Sequence, residues 1–356
     1  MSLKETVNSV HSRWMDADGP EADVVISSRV RVARNLKDIP FPHLLDHGKA
    51  EEVIHAVRLA VENKEHTGEF GPLELSRMSE LSAVERQILV DKHLISPDLL
   101  NNFQNKAVVL RDDEVVSVMV NEEDHLRIQC LLPGLQLEEA WRLVDGVDDA
   151  LEKTLDYAFS EKFGYLTACP TNAGTGMRAS VMLHLPGLVL TKHLGSLLNA
   201  INKLGLTVRG LYGEGTEALG DLFQVSNQIT LGQSEDEIIS NLISITRQIL
   251  AQERAARGAL YKEKREAIED RVCRAYGLLR HARIVSSEEV MKLISDLRMG
   301  HELGIFPGIK TRLLNELMVM TRPAFLLKMA GQDMSPQQRD IYRAELIRNK
   351  LSNLPD

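Results

Sequence analysis

Residues 23–33, DVVISSRVRVA, alternate apolar and polar positions with period two, the spacing of a strand whose two faces differ. Arg29 and Arg31 fall on one face, Val30 and Val32 on the other. Segments 49–64 and 82–94 repeat their apolar residues at helical spacing and are predicted as helices. KAVVLRDDEVVSVMVN, 106–121, reads as an antiparallel hairpin about the acidic turn Arg111-Asp112-Asp113-Glu114. HLRIQCLL, 125–132, alternates again, with Leu126, Ile128 and Cys130 on one face and His125, Arg127 and Gln129 on the other. Residues 137–160 are predicted helical. RASVMLHL, 178–185, is a further strand ended by Pro186-Gly187, and LTVRGLYG, 206–213, a strand running into a glycine-flanked loop. Strands in this pattern with long helices between them predict an α+β fold, an antiparallel β-sheet flanked by helices.

From Ser234 the pattern changes. SEDEIISNLISITRQILAQERAARGALYKEKREAIEDRV keeps helical periodicity over 234–272, and Ser234 with Glu237 forms a capping box at its start. Nearly everything beyond is helical in pattern. The chain thus divides into a mixed domain over 20–255 and an all-helical C-terminal domain over 256–356. The long helix over 234–280 and apolar segments such as LLNELMVM, 313–320, point to a homodimer through the C-terminal domain.

Length and composition narrow the class. A chain of 356 residues has room for two domains, and 44% hydrophobic residues suffice for a substantial core. No apolar run approaches the ~18 residues of a membrane span. The N-terminal MSLKETVNSVHSRW lacks the apolar block of a signal peptide, so a cytoplasmic protein without membrane contact is expected. Cys130, Cys169 and Cys273 form no CxxC pair, which argues against a disulfide framework or zinc ribbon and leaves no metal site expected. Charge is uneven: residues 251–356 carry 19 Lys and Arg against 14 Asp and Glu, residues 1–250 carry 23 against 37. An acidic body attracts cations and a basic tail attracts anions. No basic–aromatic interleaving points to direct nucleic-acid binding.

The common phosphate-binding signatures are absent. There is no GxxxxGK[ST], no HRD or DFG pair, and GTG at 174–176 is not a full GxGxxG. The remaining phosphate ligands are arginines. Arg29, Arg31, Arg127, Arg178 and Arg209 each sit on or at the end of a predicted strand, and guanidinium groups hold phosphate oxygens bidentately at any working pH. Taken singly each reads as a solvated strand arginine, and the sequence does not show whether they converge. NEEDH, 121–125, sets three carboxylates and a histidine between two strands, and YGEGTE, 212–217, sets Glu214 between glycines; both also read as plain turns. Cys169 precedes Pro170, which drives its backbone extended, and a thiol gains reactivity when cations lie nearby.

SSRVR (27–31), NEEDHLR (121–127), CPTNAGTGMRAS (169–180) and RGLYGE (209–214) occur in the order found in the phosphagen kinases, the ATP:guanido phosphotransferases, which this chain resembles over roughly residues 20–250. The resemblance implies ATP and Mg²⁺ as cofactors. It places Arg29, Arg31, Arg127, Arg178 and Arg209 around the phosphates and His93 near the adenine. Ser27, Ser28 and Val30 join the nucleotide site through the first motif, Ala179, Ser180, Val181 and Met182 through the third, and Gly210, Leu211, Tyr212, Gly213 and Glu214 through the last. Glu123 and Glu214 would grip the acceptor guanidinium, with Cys169 as the active-site thiol. The glycines at 174 and 176 would let backbone approach the nucleotide.

Two departures carry information. Met182 stands where family members carry a histidine, and only 26 residues precede SSRVR, where family members acting on small guanidino compounds carry a helical domain. The chain is similar to a bacterial branch of the family that phosphorylates arginine side chains in proteins. That branch marks proteins for a Clp-type unfoldase–protease, inactivates a heat-shock repressor and works with a zinc-binding activator protein. It also implies an allosteric phosphoarginine reader in RDIYRA, 339–344, formed by Arg339, Asp340, Arg343 and Ala344; Ser335-Pro336 starts a helix on which Arg339 and Arg343 share a face. A kinase for a small guanidino compound and a non-catalytic phosphoarginine-binding adaptor remain the alternatives.

Overall fold

The computed structural model describes residues 3–210 and 218–352. Its strands are β1 (Val25–Arg34), β2 (Leu73–Arg77), β3 (Ala107–Arg111), β4 (Val116–Val120), β5 (Leu126–Pro133), β6 (Phe159–Ser160), β7 (Gly164–Tyr165), β8 (Met177–His184), β9 (Leu206–Gly210) and β10 (Leu222–Asn227). Eight of them form one antiparallel sheet in the order β2-β3-β4-β5-β1-β8-β10-β9, and β6 and β7 pair separately. The helices are α1 (Leu3–Asn8), α2 (His47–Glu62), α3 (Lys64–Thr67), α4 (Ala83–Asp91), α5 (Leu137–Glu152), α6 (Pro186–Leu190), α7 (Leu194–Lys203), α8 (Glu235–Glu263), α9 (Arg265–His281), α10 (Ser287–Glu302), α11 (Thr311–Met320), α12 (Pro323–Ala330) and α13 (Pro336–Leu351).

The period-two alternation decides what each sheet face meets. Val30, Val32, Val118, Ile128, Ala179, Val181 and Val225 point to one side and pack with α2, α5 and α8 through Val53, Val144 and Leu242. On the other side, Ile26, Val108, Leu110, Met119, Leu131, Met182 and Leu222 join a second core. That core takes in Trp14, Ile88 and residues of α9 to α13, including Val272, Leu297, Leu317, Phe325 and Ile347. The C-terminal helices therefore bury their apolar faces against the sheet and the N-terminal segment. Between the apolar ends of this face lies a polar strip.

Three sequence expectations need correction. The helix expected over 137–160 ends at Glu152, because Leu155 and Tyr157 turn into the core and the chain bridges the end of β1, Lys37 N–H to Asp156 O at 2.8 Å and Ala158 N–H to Asn35 O at 2.7 Å. The helix expected from 234 breaks at Lys264, whose φ of −136° and ψ of 44° are not helical. The break lets α8 serve the first core while Ile268 and Val272 of α9 enter the second. LLNELMVM presents no outward apolar face: Leu314, Leu317, Met318, Val319 and Met320 are buried inside the molecule's own second core. The capping box at Ser234 is present as expected, with Glu237 closing it.

Candidate active site

β1 lies between β5 and β8, with Arg31 opposite Gln129 on one side and Arg178 on the other. Directly opposed antiparallel residues share a face, and neighbouring strands lie about 4.8 Å apart. Arg29, Arg31, Arg127, Arg178 and Arg209 therefore stand on one face, joined by Ser27, Ser180, Met182, Gln224 and Ser226. The convergence that the sequence left open is real.

Among the described residues, Glu122 is the carboxylate that pairs with this cluster. Glu122 is buried and holds Arg127 at 2.7 Å; it also accepts from Ser96 Oγ. Burial works to raise the Glu122 pKa, but Arg127, Ser96 and the Glu123 N–H outweigh it and hold the carboxylate below its usual range. Arg29 donates to Gln224 Oε1 at 2.7 Å and Arg178 to Ser226 Oγ at 3.3 Å, both neutral acceptors. Burial first, then the facing Arg29, Arg127 and Arg178, push Arg31 well below the usual guanidinium value, with Glu122 opposing. Burial, Arg209 and Arg127 lower Arg178 in the same way. The Nε atoms of Arg31 and Arg178 are buried with no hydrogen-bond partner. Since arginine does not give up its proton in proteins, such a cluster is built to take an anion with several oxygens.

At one end of this strip a small cavity is lined by Ser27, Arg29, His93, Leu131, Ser180, Met182 and Gln224. His93 has a left-handed backbone, its carbonyl accepts from Gln129 at 2.9 Å, and its ring lies 5.5 Å from Trp14. Burial, then Arg29 and Arg322, lowers its pKa to about 3, so the ring is neutral at working pH. Not every residue of the motifs faces the strip. Val30, Ala179 and Val181 are in the opposite core, and Ser28 donates to Gly134 O at 2.8 Å. Such residues offer the strip only their backbone, a direct consequence of strand alternation.

At the other end opens a cleft of about 810 Å³, lined in part by His43, Asn105, Lys106, Glu122, Glu123 and Cys169. Two loops form its wall and are pinned together. Asp124 accepts from Asn35 Nδ2 at 2.6 Å and from Ala168 N–H at 2.7 Å, and Asn172 Nδ2 donates to Glu123 Oε2 at 3.4 Å. His125 locks the same turn: Nδ1 accepts from Leu36 N–H at 3.0 Å, which leaves Nε2 to donate to Pro40 O at 2.8 Å. Glu123 is thereby brought beside Cys169, whose Sγ lies 3.0 Å from Thr171 Oγ1. Desolvation, then the neighbouring Asp124, raises the Glu123 pKa. The 174–176 turn is glycine because its own chain crowds it: a Cβ on Gly174 would stand 2.5 Å from Thr230 O, and one on Gly176 2.7 Å from Ala33 O. Gly210 ends β9, whereas Leu211, Tyr212, Gly213 and Glu214 lie outside the described residues.

In α13, Arg339 is half-buried and Ala344 is packed in the second core. Arg343 is buried; it donates to Thr321 O at 2.8 Å, to Val285 O at 2.9 Å and to Asp340. Arg343 thus ties three helical segments together.

Sequence reasoning missed Glu122 as the partner of Arg127, and Gln224 and Ser226, which follow from a strand it did not identify. The signal was there: LFQVSN, 222–227, alternates, with Gln224 and Ser226 on its polar side.

A cationic strip leading into a carboxylate-lined cleft on an antiparallel sheet has the chemistry that phosphoryl transfer needs. Residues 52–256 match the family described as ATP:guanido phosphotransferase, C-terminal catalytic domain, and the chain belongs to that family. Residues 265–356 match the Protein-arginine kinase McsB C-terminal domain, which places it in the protein-arginine kinase branch. The Protein-arginine kinase of Pelotomaculum thermopropionicum is 74% identical over 100% of both chains, and that of Desulforamulus reducens 61% identical over 99% of both. Among solved structures, the duplicated taurocyamine kinase of Schistosoma mansoni with bound transition state analog components aligns at TM-score 0.59 and 28% identity, covering 67% of this chain and 34% of that one. A lombricine kinase aligns at TM-score 0.59 and 22% identity, over 72% and 76%, a likeness of fold.

Proposed function

We propose that this enzyme transfers the γ-phosphoryl group of ATP to the guanidinium of arginine side chains in proteins. The observation that carries the reading is the strip of mutually repelling arginines running into the cleft walled by Glu123 and Cys169. In this reading Arg29, Arg31, Arg127, Arg178 and Arg209 hold the phosphates, and His93 and Met182, which line one end of the strip, lie toward the base as the resemblance implies. Mg²⁺, which the resemblance implies, would supply further neutralisation of the phosphate charge beside these arginines.

A guanidinium is a poor nucleophile because its nitrogens share a positive charge. Glu123, with Glu214 as the second carboxylate that the resemblance implies, orients the fork and accepts the proton as a terminal nitrogen attacks the γ-phosphorus. The N–P bond forms as the bond from phosphorus to the β-bridging oxygen breaks, and ADP leaves. The raised Glu123 pKa suits it to take that proton. Cys169 at the cleft wall would favour positive charge on the nitrogens that do not attack. A cleft of about 810 Å³ is far larger than one guanidinium, which supports an acceptor carried on a polypeptide.

The finer reading follows from the resemblance. Phosphorylated proteins pass to a Clp-type unfoldase–protease, a heat-shock repressor is among the targets, and a zinc-binding activator protein stimulates the enzyme in the cytoplasm. Arg339, Asp340, Arg343 and Ala344 read phosphoarginine, and the enzyme works as a homodimer. Exposed Leu278, Met329 and Ile341 on the C-terminal helices, and Ile284 in the connection from α9 to α10, support a contact between copies there.

The test is incubation with ATP, Mg²⁺ and an arginine-rich protein, followed by mass-spectrometric site mapping under non-acidic conditions. Acid-labile phosphate on arginine is expected. Phosphate only on Ser, Thr or Tyr, or none with the activator present, would overturn the reading.

A further inference from the structure

Asn172 stands where the two halves of the site meet. Its Nδ2 donates to Glu123 Oε2 at 3.4 Å. The same residue lines a pocket of about 230 Å³ together with Arg178 and Arg209. It therefore touches the acceptor carboxylate and borders two arginines of the strip.

Its place is fixed from several directions. Pro170–Asn172 is a single 3-10 turn, closed by Asn172 N–H to Cys169 O at 3.0 Å and Ala173 N–H to Pro170 O at 3.3 Å. Pro170 presets φ at the start of that turn. Thr230, just past β10, clamps it from the other side: its Oγ1 lies 2.8 Å from Thr171 O and 2.7 Å from Ala173 O. Glu123 belongs to the same frame, because its neighbour Asp124 accepts from Ala168 N–H at 2.7 Å. Asn172 and Glu123 are thus set against each other by bonds that neither of their side chains makes.

What an asparagine offers there is chemically specific. An ionised carboxylate only accepts hydrogen bonds. A donor on Oε2 fixes the orientation of the group and leaves Oε1 for the acceptor nitrogen. Burial first, then Asp124, with Glu122 and Asp98, favours the protonated form of Glu123, and Arg127 opposes them. A Lys or Arg at 172 would add a second cation and weaken the base. A neutral amide orients it at little cost to its basicity. At 3.4 Å the bond is long, and bonds to catalytic groups tighten when substrate is in place.

We propose that Asn172 is a positioning residue for phosphoryl transfer: its amide orients the Glu123 carboxylate toward the acceptor guanidinium beside the arginine strip. The inference rests on reading Glu123 as the proton acceptor.

The test measures kcat/KM for a protein substrate against pH, and the KM for ATP, in full-length wild type, Asn172→Ala and Glu123→Gln. In Asn172→Ala the plateau rate is expected to fall roughly tenfold, the cost of a small misorientation of a reacting group. Its acidic limb should move upward by about 0.5–1 pH unit, since losing a donor to the charged form raises a carboxylate pKa. The KM for ATP should stay within about twofold of wild type, because all five arginines remain. A limb that stays at the wild-type pH overturns the proposal, whether or not the rate falls. With a lowered rate it leaves Asn172 as a tie between loops, and with a raised ATP KM as a nucleotide contact. Wild-type turnover by Glu123→Gln overturns the reading of Glu123, and the proposal with it. Should Asn172→Ala fail to fold, Asn172→Leu, which keeps the volume without a donor, decides by the same limb.

Discussion

Glu122 and Glu123 are sequence neighbours with opposite electrostatics. Glu122, buried against Arg127, stays ionised and structural; Glu123, at the cleft wall beside Asp124, binds its proton more tightly than an ordinary glutamate. Glu123→Gln is expected to lower kcat by about 10²–10⁴ while leaving ATP affinity near wild type, since in the proposed mechanism Glu123 accepts the proton and holds no phosphate. The sign of the pH effect follows. Only the deprotonated carboxylate accepts a proton, so the rate climbs with pH through the Glu123 pKa, and this limb lies above the usual glutamate range. A pH–rate profile of wild type against Glu123→Gln checks both. Arg31 makes a different prediction. It is held among Arg29, Arg127 and Arg178, so Arg31→Met relieves repulsion: the protein without nucleotide should unfold at a higher temperature, yet gain less from added ATP. Thermal shift with and without nucleotide reads both changes, and a lower midpoint without nucleotide contradicts the account of mutual repulsion. The residue types that do this chemistry were legible as motifs. Their shared face was not, because whether two strands pair, and in what register, depends on contacts distant in sequence.

At the scale of elements, strong local signals held and weak ones lost to tertiary packing. The capping boxes of α4, α8 and α13 pair Ser82 with Glu85, Ser234 with Glu237 and Ser335 with Gln338. Ser234→Ala should cost about 1 kcal/mol of stability in denaturant unfolding. The end of α5 and the break at Lys264 carry no Gly or Pro, so nothing local announces them; both occur where side chains must reach a particular core. β2 has only one buried residue of five, so its pattern does not stand out, whereas the alternation of β10 was legible in the sequence. Asp91, at the end of α4, gives an element-scale test. Burial raises its pKa from 3.8 to about 6, against a bond from Gln87 at 3.1 Å and the charge of Arg322. The folded state thus binds this proton more tightly than the unfolded chain, so stability falls as pH rises from about 4 to about 6 and stays lower above. Asp91→Asn should stabilise the protein at pH 8, by ~1–3 kcal/mol, and the gain should vanish below pH ~4. Equal denaturation midpoints at both pH values would contradict it.

Across the whole molecule, two cores sandwich one sheet, and the second core belongs jointly to the N-terminal segment, the sheet and the C-terminal helices. Polar links run the same way. Buried Lys92 pairs with Glu114 and donates to Thr6 O at 3.0 Å, Asn315 Nδ2 donates to Met15 O at 3.0 Å, and Lys328 meets Glu85 at 2.9 Å. A chain truncated after 264 would leave Trp14, Ile88 and Leu110 without their cover, and should bind a hydrophobic dye and lose cooperative unfolding. A sharp two-state transition would show that the sheet does not need those helices. The composition and the change of pattern at Ser234 foretold a helical half, but amphipathic helices do not say in sequence what they will cover. The central claim concerns the bond this whole assembly makes. Phosphorus NMR of a reaction with ATP, Mg²⁺ and an arginine-rich protein tests it most directly. A phosphoarginine resonance should grow in step with ADP, disappear on acidification and be absent with Glu123→Gln. ADP released with only acid-stable phosphate on the protein, or phosphoarginine formed at the wild-type rate by Glu123→Gln, would contradict it.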